Sequence, residues 1–190
     1  MMNHKRYISV VFIWLLSISC IWAQTNPYRF GSPHYWMAQG TLDIYAGKFD
    51  IAYEHLEKAQ KGYRELGDVG FQIQATEAMG ALKAGLGEWE KAKQHYQDAL
   101  QIATEANEDF AQSKVMVDLL ALYRTVGDII GYNQYLKALD SLYHVSNSAK
   151  LKTVYHLYWS NEYLARKEFA MVETQLQQCW DVMQDLPFSD

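Results

Sequence analysis

Proline is scarce in this sequence. Of 190 residues only Pro27, Pro33 and Pro187 are proline, so 153 consecutive residues, His34 to Leu186, are free of the strongest helix breaker. Glycine is modest, at 11. A sandwich or barrel of this length needs many tight turns, so the shortage of turn residues argues against one and for helix. Basic residues are outnumbered 17 to 22, for a formal net charge of −5. Nonspecific nucleic-acid binding depends on Lys and Arg neutralising phosphates, so no nucleic-acid partner is expected. Apolar residues at 49% against charged residues at 21% exclude a disordered chain. Catalytic signatures are missing too: there is no Gly-x-Ser-x-Gly, His-Glu-x-x-His, phosphate loop or dinucleotide fingerprint. Gly85-Leu86-Gly87 is too short for the last and ends a helix instead of opening one. No enzyme activity, metal or cofactor is expected.

One long apolar run is present. Lys5 and Arg6 precede 16 uncharged residues, Ile8 to Ala23. That is short of the roughly 20 residues a membrane-crossing helix needs. A basic start, a short apolar core and a small residue before a polar one predict a secretory signal peptide over residues 1–23, cut between Ala23 and Gln24. Ile21, three residues before the cut, is larger than usual. The alternatives are a lipoprotein anchored at Cys20, for which a Leu in place of Ser17 would fit better, and an uncleaved N-terminal anchor. The expected location is periplasmic or extracellular, with no membrane span in the mature chain. Cleavage removes two cations and no acid, leaving 15 basic and 22 acidic residues, a net of −7. It also leaves a single cysteine, Cys179, so an internal disulfide is excluded. Cys179 stands among apolar residues at helical spacing and reads as a small buried hydrophobe.

After a linker at 24–33, a period of forty residues runs to position 186. Gly47, Gly87 and Gly127 share one phase, with Lys167 fourth. So do Phe49, Trp89, Ile129 and Phe169; Ala52, Ala92, Tyr132 and Val172; Leu56, Tyr96, Leu136 and Leu176; and Ala59, Ala99, Leu139 and Cys179. Gly40 and Gly80 pair with Leu120 and Ser160. The four units are 27–66, 67–106, 107–146 and 147–186, and 187–190 is a tail. Phe49, Ala52, Tyr53, Leu56, Ala59, Tyr63 and Leu66 recur at three and four, one face of a helix. A first helix precedes it in each unit, near 34–46, 71–86, 111–126 and 150–166. Glycine at 47, 87 and 127 supplies the left-handed backbone that ends it. One such pair cannot bury its own apolar face, so neighbouring pairs must stack.

The segments Gly47-Lys-Phe-Asp-Ile-Ala-Tyr-Glu-His-Leu-Glu-Lys-Ala59 and Gly87-Glu-Trp-Glu-Lys-Ala-Lys-Gln-His-Tyr-Gln-Asp-Ala-Leu100 resemble the second half of a tetratricopeptide repeat. Units one and two carry the whole pattern. Unit three has Tyr132 where Ala is expected, and unit four has Lys167 for Gly and Val172 for Ala. The usual unit is about 34 residues, so forty implies longer helices. The resemblance implies an all-α solenoid of about four helix pairs in a right-handed superhelix. It also implies a protein or peptide partner held on a concave face lined by first helices. By phase that face contains His34, Met37, Thr41, Tyr45, Gln74, Glu77, Ala81, Lys114, Val117, Arg124, Val154 and Asn161. Some chaperone-binding members hold a terminal carboxylate with Lys, Asn and Arg on this face; Met37, Thr41 and Glu77 occupy those places here, which argues against that ligand.

His55 and His95 share a phase and so lie about one repeat apart, too far for one zinc ion, whose ligands sit about 2 Å from the metal. Glu54, Glu57, Glu88 and Glu90 read as solvated. The expected function is an exported scaffold for a protein or peptide. The alternative resembles the periplasmic tetratricopeptide segment of bacterial envelope regulators: sensory input whose membrane and output domains lie outside this chain. The last pair carries Tyr155, Tyr158, Trp159, Phe169, Trp180 and Met183, more apolar surface than one neighbouring unit covers, so the C-terminal edge is expected to meet further repeats, a second copy (self-association) or a partner.

Overall fold

The computed structural model describes residues 28–184. The expected signal peptide, Cys20, residues 24–27 of the linker and the tail at 187–190 lie outside the described residues. Eight helices follow one another: α1 (Pro33–Tyr45), α2 (Phe49–Leu66), α3 (Val69–Gly85), α4 (Trp89–Glu105), α5 (Asp109–Val126), α6 (Ile129–Val145), α7 (Ala149–Ala165) and α8 (Phe169–Gln184). No strand occurs among the described residues. Each odd helix packs on the even helix that follows it, and the pairs stack in chain order into an all-α solenoid. No described helix is long and apolar enough to cross a membrane.

The first helices start one or two residues before the positions the periodicity alone suggests, and at α1, α3 and α7 polar caps set the start. Ser32, Asp68, Asp128 and Ser148 each accept a backbone N–H from three residues on. The turns recur every twenty residues, half the sequence period. Gly47, Gly67, Gly87, Asn107, Gly127 and Lys167 all have φ between 56° and 76°. The series breaks at the 146–148 turn, where Ser146 is extended and its hydroxyl donates to Asp109 at 2.5 Å.

Lys167 is the strained member of that series. A side chain other than Gly, Asn or Asp costs roughly 1–2 kcal/mol in this region. Part of that is offset by the entropy that glycine adds to the unfolded chain. Lys167→Gly is therefore expected to raise the melting temperature by about 2 °C, on the order of 0.5–1 kcal/mol. Asn107→Gly should change it less, because Asn tolerates the left-handed region. A thermal melt of the two variants side by side checks the difference.

The phase classes become burial classes. Ala52, Leu56, Ala59, Ala92 and Ala99 have no exposed surface, and Tyr96 has 5%. The glycines at 40 and 80 receive these side chains. A Cβ at Gly40 would stand 3.0 Å from Leu56 Cδ2, and one at Gly80 2.8 Å from Tyr96 Cδ1. Unit three departs where its sequence departs. Tyr132 puts a ring where units one and two have a methyl, and its hydroxyl lies 2.6 Å from that of Tyr158 on α7. Of the helices before it, α7 packs more on α5 than on α6. Tyr143 and Tyr155 fill the α6–α7 gap, stacked with ring centroids 4.0 Å apart.

In unit four α8 lies open. Leu176, the counterpart of fully buried Leu56, is 48% exposed; Trp180 is 56%, and Phe169, at a phase exposed in every unit, is 66%. In α8 only Cys179 is buried, facing α7, and burial raises its thiol above the ordinary range. Tyr158 is buried and Tyr155 and Trp159 half-buried, so among the aromatic side chains of this pair the most exposed, Phe169 and Trp180, belong to α8.

Candidate functional site

Three phases of the first helices face the same way: 34/74/114/154, 37/77/117/157 and 41/81/121/161. Where α5 and α7 run beside each other, these phases bring Lys114, Val117 and Ala121 against Val154, Leu157 and Asn161. Together they line a groove of about 600 Å³. Leu120, Tyr132, Tyr158 and Met183 complete an apolar floor. Tyr132 has a part in the opening itself, because its ring meets α7 where a methyl in the earlier units permits close approach.

Charge is concentrated along the groove's length. Glu162 is buried, and its carboxylate pairs with the guanidinium of Arg124, with Arg166 further off at 3.9 Å. The Lys114 ammonium reaches Glu77 on α3 at 3.0 Å. Asp118, one turn beyond Lys114, also lines the groove. Burial pushes its carboxyl up to about 7; the charge of Glu77 and a hydrogen bond to it act in the same direction, and Lys114 partly opposes them. Burial and the neighbouring Glu77 carboxylate thus both favour the protonated form of Asp118, beside a lysine.

The structure gathers only part of the face expected from phase. Lys114, Val117, Arg124, Val154 and Asn161 share the groove, and Glu77 joins through Lys114. The others lie elsewhere. His34 packs edge-on against Tyr63 and Phe71, with centroids 5.1 and 4.8 Å away, so it serves the junction of units one and two. Met37 is half-buried against the core of that junction. Thr41, Gln74 and Ala81 are exposed and outside the groove, and Tyr45, 86% exposed, ends α1. Sequence reasoning missed Leu157 and Ala121, though each belongs to a phase already used. It missed Asp118 as well, an acid in a phase otherwise held by Ala38, Ala78 and Tyr158.

Neither histidine of the repeat pair stands free. His55 Nδ1 lies 2.8 Å from Asp43 and its ring stacks on Trp36, and His95 Nε2 lies 3.0 Å from the Tyr53 hydroxyl. Burial lowers the His95 pKa. Glu88, expected as solvated, is half-buried and bridges Lys83 at 3.1 Å and Lys91 at 2.6 Å. No group of three metal-ligating side chains occurs among the described residues.

No family model matches the chain, and no curated protein matches it. Among solved structures it is similar to the crystal structure of BtubC (BKLC) from P. vanneervenii, with a TM-score of 0.54 and 17% sequence identity. The match covers 83% of this chain and 65% of that one. Identity that low speaks to the fold alone.

Proposed function

We propose that this chain is an exported tetratricopeptide-type array that holds a protein or peptide segment in the groove between α5 and α7. The observation that carries the reading is the groove itself: an apolar floor about 600 Å³ in extent, rimmed by Lys114, Arg124 and Asn161 and built from consecutive first helices. Peptide sites elsewhere combine a preformed apolar cleft with a few fixed polar groups in the same way. The export part rests on the basic and apolar pattern of residues 1–23.

A photo-crosslinking residue at position 157, on the groove floor, tests it in the producing cell. A discrete polypeptide adduct is expected there and none with the same residue at position 101, exposed on α4. No adduct at 157, or the same adducts from both positions, would contradict the reading.

The open face of α8 supports a second copy as its cover. Leu176 lies at a phase that is buried in units one and two, Trp180 at one that is half-buried in units one to three, and α8 carries no cation that would select an acidic partner. Light scattering should show mass rising with concentration, and Trp180→Glu should hold the chain monomeric. A single monomeric mass at all concentrations would leave α8 without a copy to cover it.

A further inference from the structure

The two ends of the groove differ in charge. At one end Arg124 is matched by Glu162, and Asn161 is neutral. At the other, in the first two turns of α5 and the first turn of α7, two ammonium groups stand with Phe110. Lys114 follows it by one turn, and Lys150 Nζ stands 6.0 Å from its ring centroid. The acids near this end are occupied. Glu77 is committed to Lys114, the Asp118 carboxyl is pushed toward its protonated form by burial and by Glu77, and Asp109 accepts from the Ser146 hydroxyl. Lys150 makes no ion pair among the described residues. Both helices also point their N-termini, their partly positive ends, toward this end of the groove. Between the two ends Val117, Val154 and Leu157 present only hydrocarbon.

We propose that the groove takes a peptide segment that is apolar in its middle and carries an acidic side chain, seated with that carboxylate between Lys114 and Lys150 and its apolar side chains over Val117, Val154 and Leu157. The proposal rests on the groove reading above and adds the chemistry and direction of the ligand. Apolar burial supplies the attraction, and the unmatched cation sets the polarity. A basic segment would meet Lys150 with like charge. A reversed acidic segment would meet Glu162, whose own cation is already engaged.

Random heptapeptides displayed on phage and selected on the purified protein test this. The wild type should enrich peptides with Asp or Glu adjoining two or more large apolar residues. Lys150→Glu, at an exposed position in the first turn of α7, should keep the apolar preference and lose the acidic one. Leu157→Glu, at a position already 43% exposed, should enrich nothing. For the best acidic peptide, Lys150→Gln should weaken binding by about fivefold at low ionic strength, with the difference fading as salt is added. Apolar peptides without acid, peptides rich in Lys or Arg, or an unchanged affinity in Lys150→Gln would overturn the proposal and leave the groove reading standing. No enrichment on the wild type, or equal enrichment on Leu157→Glu, would overturn the groove reading itself.

Discussion

Ala92→Leu should lower the melting temperature by about 5 °C, the shift expected of overpacking that costs roughly 1–3 kcal/mol. Ala92 has no exposed surface and lies in a cluster with Ile73, Tyr96, Val115, Leu119 and Tyr123. Three added carbons must displace that cluster or part the helices around it, because a packed interior holds no spare volume. Unit three shows the second course already taken. Its counterpart Tyr132 stands where α7 packs more on α5 than on α6. Around Ala92 no such gap exists, since α4 packs closely on both α3 and α5. Gln101→Leu, on the exposed side of α4, is the control and should leave the melt within about 0.5 kcal/mol of the parent. A melt of Ala92→Leu that matches the parent would mean that the buried face of α4 is wrongly assigned.

Asp118→Asn should stabilise the protein at pH 8 and do little at pH 4. The carboxyl is held near 7 in the folded chain against an ordinary 3.8, so the folded state binds its proton more tightly than the unfolded state does. Stability from this group is therefore fully present below about pH 4 and is lost as the pH rises toward 7. Above that range the folded protein holds two adjacent carboxylates, Asp118 and Glu77, with Lys114 alone to offset them. The full displacement corresponds to about 4 kcal/mol, and relaxation around a pair at the groove edge reduces the expected gain to roughly 2 kcal/mol. An asparagine amide can still donate to Glu77, as the protonated carboxyl does, so the contact survives the change. Melts of wild type and variant from pH 4 to 8 should diverge steadily with pH. Parallel curves would show that Asp118 titrates as an ordinary carboxyl.

The fold was legible because packing repeats. Ala52 and Ala92 recur where helices approach closely, and Gly40 and Gly80 recur beneath Leu56 and Tyr96. A period in sequence therefore maps onto a period in space. The left-handed turn at Lys167 was less legible: its phase predicts glycine, and only the backbone shows that a lysine takes the same conformation. The groove was half legible. Phase places Lys114, Val117, Val154 and Asn161 on one face. It cannot tell that α7 lies against α5, where Tyr132 of the helix between them meets Tyr158. His34 and Met37 show the limit from the other side. They hold the expected phase, yet the first pair uses them for packing. Phe110 and Lys150 fall outside the three phases because they stand at helix starts. Met183 comes from a second helix, which a rule about first helices does not reach.

The account stands most directly on where a bound segment sits. Methyl-labelled protein titrated with a selected acidic, apolar heptapeptide reads this from chemical-shift changes in its Leu, Val and Ile side chains. Val117, Leu120, Val154 and Leu157 should shift together and saturate at one peptide per chain, while Leu42 and Ile51 of the first pair stay unmoved. Shifts centred on the first pair, or on Leu176 of α8 with the α5–α7 methyls silent, would contradict it.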